Sequence, residues 1–155
     1  MIDLSELIRP EAVAEGLTMA SKKAVLQQIG ALAAGAYGID ARPTVEALAR
    51  REKLGSTGLG GGTAVPHARL PGLERTIGVV ARLTQPVDFD AIDGLPVDLF
   101  FALFSPVDAG STHLKALAQI SRLLRDAELV EKLRGASSHD ALYALLIRDE
   151  ARDAA

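Results

Sequence analysis

A nearly continuous apolar segment, Val97 to Phe104, is the feature that most constrains the fold of this chain. Only Asp98 interrupts its valine, leucine, phenylalanine and alanine residues, and Ser105-Pro106 closes it. A strand with one face in water alternates apolar and polar residues, whereas a strand covered on both faces reads as a continuous apolar run. The segment therefore predicts a buried strand with other elements packed on both of its faces.

Further strands and helices are predicted from apolar periodicity, helix caps and chain breakers. Strands are expected at Ala12–Ala14, Thr63–Val65 and Thr76–Leu83. Helices are expected at Leu4–Ile8, from Lys22 to about Ala34 (where Gly35 and Gly38 end it), from Asp40 or Pro43 through Arg51, from Ser111 or Thr112 to about Arg125, at Ala127–Leu133, and from Ser137 onward. Helices grouped around strands indicate an α/β fold, a single-domain layered sandwich with a mixed central β-sheet flanked by helices. We expect the domain to cover residues 1–150 and residues 151–155 to fray.

Charge and composition exclude several classes of protein. The net charge of −3 argues against a general affinity for nucleic acid or for an anionic membrane surface. No apolar stretch approaches the roughly 20 residues that span a bilayer, so direct membrane insertion is not expected. Cysteine is absent, which excludes disulfides, thiolate metal sites and a cysteine nucleophile. Together with an N-terminus that lacks a secretion signal, these features predict a cytoplasmic protein.

The stretch from Gly55 to Arg69 contains the residues that are best suited to take part in chemistry. Its glycine-rich loop leads through a short extended segment to Pro66 and His67. Proline has no N–H and biases the preceding residue toward extended geometry, so the strand should end there and leave His67 at a strand exit. Nucleotide binding is disfavoured, because a P-loop needs Lys-Ser or Lys-Thr after its last glycine and a dinucleotide fingerprint needs a helix.

Other polar residues offer weaker signals. His113 begins an apolar helical stripe with Leu117, Ile120 and Leu124, so it is either a neutral structural residue or a group that helps to hold a phosphate. Arg51 directly precedes the glycine loop, where its guanidinium can pair two phosphate oxygens, and Ser56 and Thr57 add hydroxyl donors. His139 fits a surface role in the first turn of the last helix. No local spacing supports a metal site, and no Gly-x-Ser-x-Gly elbow supports a serine hydrolase.

Two segments carry a resemblance to a known family. The residues from Arg51 to Gly60, followed by Thr63-Ala64-Val65-Pro66-His67-Ala68-Arg69, are similar to the IIA domains of the bacterial phosphotransferase system. Further similarity covers Phe89 to Leu99 and Thr112-His113-Leu114. The chain most resembles the fructose/mannitol type and, within it, the nitrogen-regulatory branch. The triple glycine Gly60-Gly61-Gly62 departs from the family, which usually has a bulkier middle residue.

The resemblance implies a phosphoryl carrier with no cofactor and no metal. His67 would accept a phosphoryl group on Nε2 from an HPr-type phosphocarrier protein, His113 would stabilise the phosphate, and Arg51 would pair its charge. The residue chemistry, rather than the resemblance, adds the hydroxyls of Ser56 and Thr57 as an expected phosphate-binding loop. The implied fold is again an α/β sandwich, with the reactive histidine in a shallow surface depression.

Two uses of such a phosphoryl group remain open at the level of sequence. One is a phosphorylation-dependent switch that changes which regulated proteins dock. The other is sugar uptake, in which the group passes to a IIB domain. The stretch Arg51-Glu52-Lys53-Leu54-Gly55-Ser56-Thr57-Gly58 resembles the nitrogen-regulatory branch more, which favours the switch.

Overall fold

A six-stranded sheet and six α-helices account for most of residues 2–154, whose backbone the computed structural model describes; side chains are described for residues 2–147. The elements in order are α1 (Leu4–Leu7), a 3₁₀ turn (Pro10–Ala12), β1 (Val13–Leu17), α2 (Lys22–Tyr37), α3 (Ala41–Lys53), β2 (Gly58–Gly60), β3 (Thr63–Ala64), β4 (His67–Leu70), β5 (Ile77–Val87), β6 (Val97–Pro106), α4 (Ser111–Leu124), α5 (Ala127–Gly135) and α6 (His139–Ala154). The predicted α/β sandwich with a mixed sheet is confirmed. The division into a domain at 1–150 and a frayed tail stays a prediction, and Ala155 lies outside the described residues.

Strand β6 is the centre of the sheet. Every residue from Leu99 to Ser105 is buried, so both faces of the strand are covered as its apolar sequence predicts. Along one edge β6 pairs antiparallel with β5, which in turn pairs parallel with β1. Along its other edge β6 pairs parallel with β3 and then with β4, and β2 pairs antiparallel with β3. Helices α2 and α3 pack on each other and against β5 and β4, while α4 contacts β6 and α6 contacts β1.

The strand that pairs parallel with β6 is interrupted at Pro66. The pairing of Thr63 and Ala64 with Leu99 and Phe100 stops at Val65-Pro66 and resumes at His67, which pairs with Leu103. The expected strand end at Pro66 is therefore confirmed, but the placement of His67 at a strand exit is wrong. Because the next segment can still pair with β6, His67 is the first residue of a new strand, β4.

Several predicted boundaries shift for identifiable reasons. Helix α2 continues through Gly35 and ends at Gly38, whose left-handed φ of 73° lets its N–H donate to the Ala34 carbonyl. Gly110 rather than Ser111 or Thr112 occupies the N-cap of α4, with no side-chain cap. At the start of α6, Ser138 Oγ rather than Ser137 accepts the N–H of Ala141. Strand β5 continues past the predicted end at Leu83 to Val87, because a register shift between Arg82 and Val87 accommodates Pro86.

Within residues 2–154, no helix combines the length and apolarity that crossing a bilayer requires.

Helices α2 and α3 approach closely at Gly30. A Cβ atom placed on Gly30 would lie 2.3 Å from Cγ2 of Val45 and 3.3 Å from the Ala41 carbonyl oxygen. Glycine at this position therefore lets the two helices pack closely, although it is an unfavourable residue inside a helix. This packing matters for the site because α3 carries Arg51 in its last turn.

We expect Gly30→Ala to destabilise the protein by about 1–3 kcal/mol, because the added methyl overpacks the α2–α3 contact. The matched control is Gly35→Ala in the same helix, where an added Cβ meets nothing within 4 Å. That substitution should stabilise by about 0.5–1 kcal/mol through helix propensity. Urea unfolding followed by circular dichroism measures both, and equal effects of the two substitutions would contradict the packing argument.

Candidate functional site

His67 is half-buried at the start of β4, and both of its ring nitrogens have partners. Nδ1 lies 2.8 Å from the carbonyl oxygen of Val65, and Nε2 lies 3.2 Å from Nε of Arg51. A carbonyl only accepts and a guanidinium only donates, so the neutral ring carries its proton on Nδ1 and its lone pair on Nε2. The backbone around Pro66 therefore orients a nucleophilic nitrogen toward Arg51.

Arg51 is held by two bonds in the last turn of α3. Its Nε–H donates to His67 Nε2, and Nη1 donates to the Gly55 carbonyl at 2.8 Å. Neither bond uses Nη2, so the guanidinium retains donors for an anion beside His67. The structure thus brings Arg51 and His67 together across the glycine loop.

His113 comes to the same place from α4. Its ring centroid is 5.6 Å from that of His67, and its side chain is buried. Nδ1 lies 2.7 Å from the hydroxyl oxygen of Ser105 on β6. The sequence prediction that His113 heads the buried face of its helix is confirmed by the buried residues Ala116, Ile120 and Leu124, with Leu117 only partly buried.

These three side chains share a surface depression of about 340 Å³. The lining contains two further guanidinium groups and no carboxylate; its members are Ala47, Arg50, Arg51, Leu54, His67, Ala68, Arg69 and His113. Arg69 follows His67 by two residues on β4, so both project to the exposed face while Ala68 and Leu70 are buried. The depression is electropositive and suits an anion.

Both histidines of the depression are neutral at pH 7. Burial lowers the pKa of His67, and the nearby Arg51 lowers it further, against the raising effects of the Val65 carbonyl and Glu52. Burial also lowers the pKa of His113 to about 4, with smaller contributions from His67 and Arg69. A neutral imidazole keeps the lone pair that a nucleophile needs.

The predicted loop hydroxyls have protein partners outside the depression. Ser56 Oγ donates to the Phe89 carbonyl at 2.6 Å and accepts the N–H of Gly58. Thr57 Oγ1 donates to Glu52 Oε2 at 2.5 Å. Their assignment as a phosphate-binding loop stays a prediction.

Glu52 holds the glycine-rich loop through hydrogen bonds to Thr57. The sequence analysis did not predict this role. Its buried carboxylate accepts both the N–H and the hydroxyl of Thr57, and Lys22 Nζ lies 3.1 Å from Oε1. Lys22 also lies 4.5 Å from the ring centroid of Phe89. In the sequence, a glutamate next to Arg51 looks like an ordinary residue of an exposed helix face. Its pairing with the partly exposed Lys22 of α2 appears only in the folded structure.

The triple glycine is held by one side chain from another loop and one from helix α5. Asp93 accepts the N–H of Gly61, and Arg134 Nη2 donates to its carbonyl at 2.7 Å. Gly60, Gly61 and Gly62 all have positive φ, and a Cβ on Gly62 would lie 2.4 Å from Arg134 Nη2. The loop is therefore shaped by its contacts.

A second, larger depression of about 390 Å³ lies elsewhere, against α1 and the start of β5. Its lining includes the carboxylates of Glu6, Glu74 and Asp108 but no histidine. We place the functional site at His67 because chemistry, rather than size, distinguishes the smaller depression. Among the described residues, no cluster of histidine and carboxylate side chains has the arrangement of a metal site.

Comparison with known proteins identifies the family of this chain. Residues 6–149 match the family described as "Phosphoenolpyruvate-dependent sugar phosphotransferase system, EIIA 2". A nitrogen regulatory protein of Bradyrhizobium diazoefficiens is 48% identical over 143 residues, covering 92% of this chain and 94% of that protein. One from Pseudomonas aeruginosa is 44% identical over 148 residues, covering 95% and 96%. The crystal structure of nitrogen regulatory protein IIA-Ntr from Neisseria meningitidis superposes with a TM-score of 0.86 at 34% identity, covering 92% and 98%.

The mixed sheet flanked by helices is the fold of the phosphotransferase-system IIA structures to which this chain is similar. The chain belongs to the EIIA type 2 family of the phosphoenolpyruvate-dependent sugar phosphotransferase system. Within that family it is similar over nearly its whole length to the nitrogen regulatory proteins.

The three histidines should titrate in a fixed order in one NMR sample. His113 should have a pKa near 4 and His67 a pKa below 6.5, since burial disfavours both imidazolium ions. His139 should titrate above 6.5, since Asp140 and the Pro10 carbonyl accept from its ring. As pH falls, His113 is protonated first in the unfolded state, where its pKa is 6.5. The stabilisation of the folded state by neutral His113 is therefore complete above pH 6.5. It is lost as pH falls from 6.5 toward 4. Titration of His113 near 6.5 would contradict its buried, neutral state.

Proposed function

We propose that this protein is a phosphoryl carrier of the nitrogen-type phosphotransferase system. It accepts a phosphoryl group on His67 from an HPr-type phosphocarrier protein and acts as a phosphorylation-dependent regulator. The observation that carries the proposal is the orientation of His67, whose Nδ1 is committed to Val65 while Nε2 faces Arg51 and the depression. No cofactor or metal is required.

The transfer follows from the hydrogen bonds of the site. The N–P bond of the donor's phosphohistidine breaks as a new N–P bond forms at His67 Nε2, and the proton on Nδ1 stays in place. Arg51 Nε–H, which now donates to that lone pair, turns to the phosphoryl oxygens. In-line positioning and charge compensation provide most of the catalysis in such transfers. His113 stabilises the phosphate from the other side.

The regulatory role is supported by similarity and by charge. Nitrogen regulatory proteins are 48% and 44% identical to this chain over nearly the full length of both partners. Phosphorylation adds about −1.5 to −2 charges. The depression is lined by three arginine side chains and no carboxylate, so this addition compensates about half to two-thirds of their positive charge. Proteins that dock there in one state are then disfavoured in the other.

Sugar uptake is the second candidate, and one relative favours it. The fructose-specific EIIA component of Haloferax volcanii is 31% identical over 145 residues, covering 93% of this chain and 94% of that protein. A structure at 23% identity is described as a complex of mannitol IIA with phosphorylated IIB from Escherichia coli. Under this alternative the group passes from His67 to a IIB domain.

Incubation with the upstream carriers and a phosphoryl donor should add one acid-labile phosphate to the protein. His67→Ala should abolish it, while substitution of the partly exposed His139 by alanine serves as the matched control and should leave it intact. Arg51→Ala should slow phosphorylation by about 10²-fold without unfolding the protein, because one charged donor to the transferring group is lost. Intact-mass spectrometry at neutral pH measures all three, and phosphate on His67→Ala would refute the site.

The two uses of the phosphate separate in a transfer assay. The phosphorylated protein should keep its phosphate when mixed with a fructose- or mannitol-type IIB domain, since a switch has to hold its state. A sugar-specific EIIA component should lose its phosphate to the same IIB domain and serves as the positive control. Equally rapid loss from this protein would favour the uptake role instead.

A further inference from the structure

A chain of three polar side chains leads away from the depression behind His113. His113 Nδ1 lies 2.7 Å from Ser105 Oγ, which in turn lies 3.1 Å from Thr76 Oγ1. Ser105 is fully buried and His113 is 5% exposed, so water does not compete with the bond between them. Ser105 lies on β6, where Arg69 of β4 is its partner in the sheet.

Hydrogen bonds can be donated in two opposite directions along these three side chains, and both directions are compatible with the distances. We call these two arrangements the two hydrogen orders. In the first, Thr76 donates to Ser105 and Ser105 donates to His113 Nδ1, which leaves the ring proton on Nε2. In the second, Nδ1–H donates to Ser105 and Ser105 donates to Thr76, which leaves a bare lone pair on Nε2. A hydroxyl group serves either order because it both donates and accepts.

The two orders have opposite consequences for an anion in the depression. Nε2 is the ring nitrogen of His113 that Ser105 leaves available, and His113 lines the depression beside His67. Phosphoryl oxygens accept hydrogen bonds, so an Nε2–H stabilises them, whereas an Nε2 lone pair repels them. Because burial keeps His113 neutral, its ring carries a single N–H proton. The hydrogen bond with Ser105 determines which ring nitrogen carries that proton.

We propose that Ser105 is a positioning residue that donates its hydroxyl proton to His113 Nδ1 and so holds His113 as the Nε2–H tautomer. This inference rests on the proposed function, in that Nε2–H donates to a phosphoryl group carried by His67. The two histidines then hold opposite tautomers. The Val65 carbonyl keeps the proton of His67 on Nδ1 and its lone pair on Nε2, while Ser105 does the reverse for His113.

The first test is imidazole nitrogen NMR of the unphosphorylated protein at pH 7, which does not depend on any phosphoryl transfer. We expect His113 as the Nε2–H tautomer and His67 as the Nδ1–H tautomer. His113 with its proton on Nδ1 would overturn the proposal and leave the proposed function standing. Failure of the proposed function would instead appear as a lack of phosphate on His67.

Two substitutions at Ser105 separate the hydrogen bond from packing. Ser105→Ala removes the hydroxyl, and Ser105→Cys fills the same place with a slightly larger side chain that offers only a weak donor. Both should shift His113 away from pure Nε2–H while the His67 tautomer stays unchanged as the internal control. Both should also shorten the phosphohistidine lifetime or slow transfer by about 5- to 10-fold, the effect of one hydrogen bond. An unchanged His113 tautomer in both variants would overturn the proposal.

Thr76→Val distinguishes the two hydrogen orders further. In the proposed order Thr76 only donates to Ser105, so its removal should leave the His113 tautomer and the phosphohistidine lifetime as in the unaltered protein. In the reverse order Thr76 accepts the Ser105 proton, and its loss would leave that proton without an acceptor. The ring would then change to the Nε2–H tautomer, in which Nδ1 accepts from Ser105. A change of the His113 tautomer in Thr76→Val would therefore contradict the proposal.

Discussion

Strand β6 is buried on both faces and hydrogen-bonded along both edges, and this double constraint determines where the groups of the site lie. Its outer edge holds the interrupted strand β3–β4, with His67 opposite Leu103. Its C-terminal end places Ser105 against His113 of α4. Because a buried strand has no freedom to slide without exposing apolar side chains, these positions are set by the register of the sheet.

The interruption at Val65-Pro66 connects the sheet to the chemistry. The Val65 carbonyl accepts from the imidazole of His67, and the Pro66 carbonyl accepts from Leu103 in β6. The side chain of His67 is thus oriented by the backbone two residues before it. Behind the loop, the carboxylate of Glu52 ties Thr57 and Lys22 together. The site consequently combines a rigid histidine with an arginine anchored to the same loop.

Individual residues show which structural features local sequence patterns predict and which they miss. The apolar run at Val97 predicted the central strand, and apolar periodicity predicted a helix from Lys22, because both signals arise from neighbours in the chain. Gly35 was wrongly expected to end α2, since an isolated glycine is tolerated inside a helix and the left-handed turn occurs at Gly38. The restart of a strand at His67 was missed, because it depends on pairing with β6.

The amino-acid sequence by itself determined the layered α/β fold and the glycine-rich segment that leads to Pro66 and His67. Those features follow from apolar periodicity and from the backbone chemistry of glycine and proline, which act over a few residues. Only the tertiary structure decided that Arg51 donates to His67, that His113 lies beside both, and that Ser105 is the partner of His113. Those contacts join residues from different elements. Their geometry, and with it the tautomer and charge of each histidine, exists only once the sheet and its helices have packed.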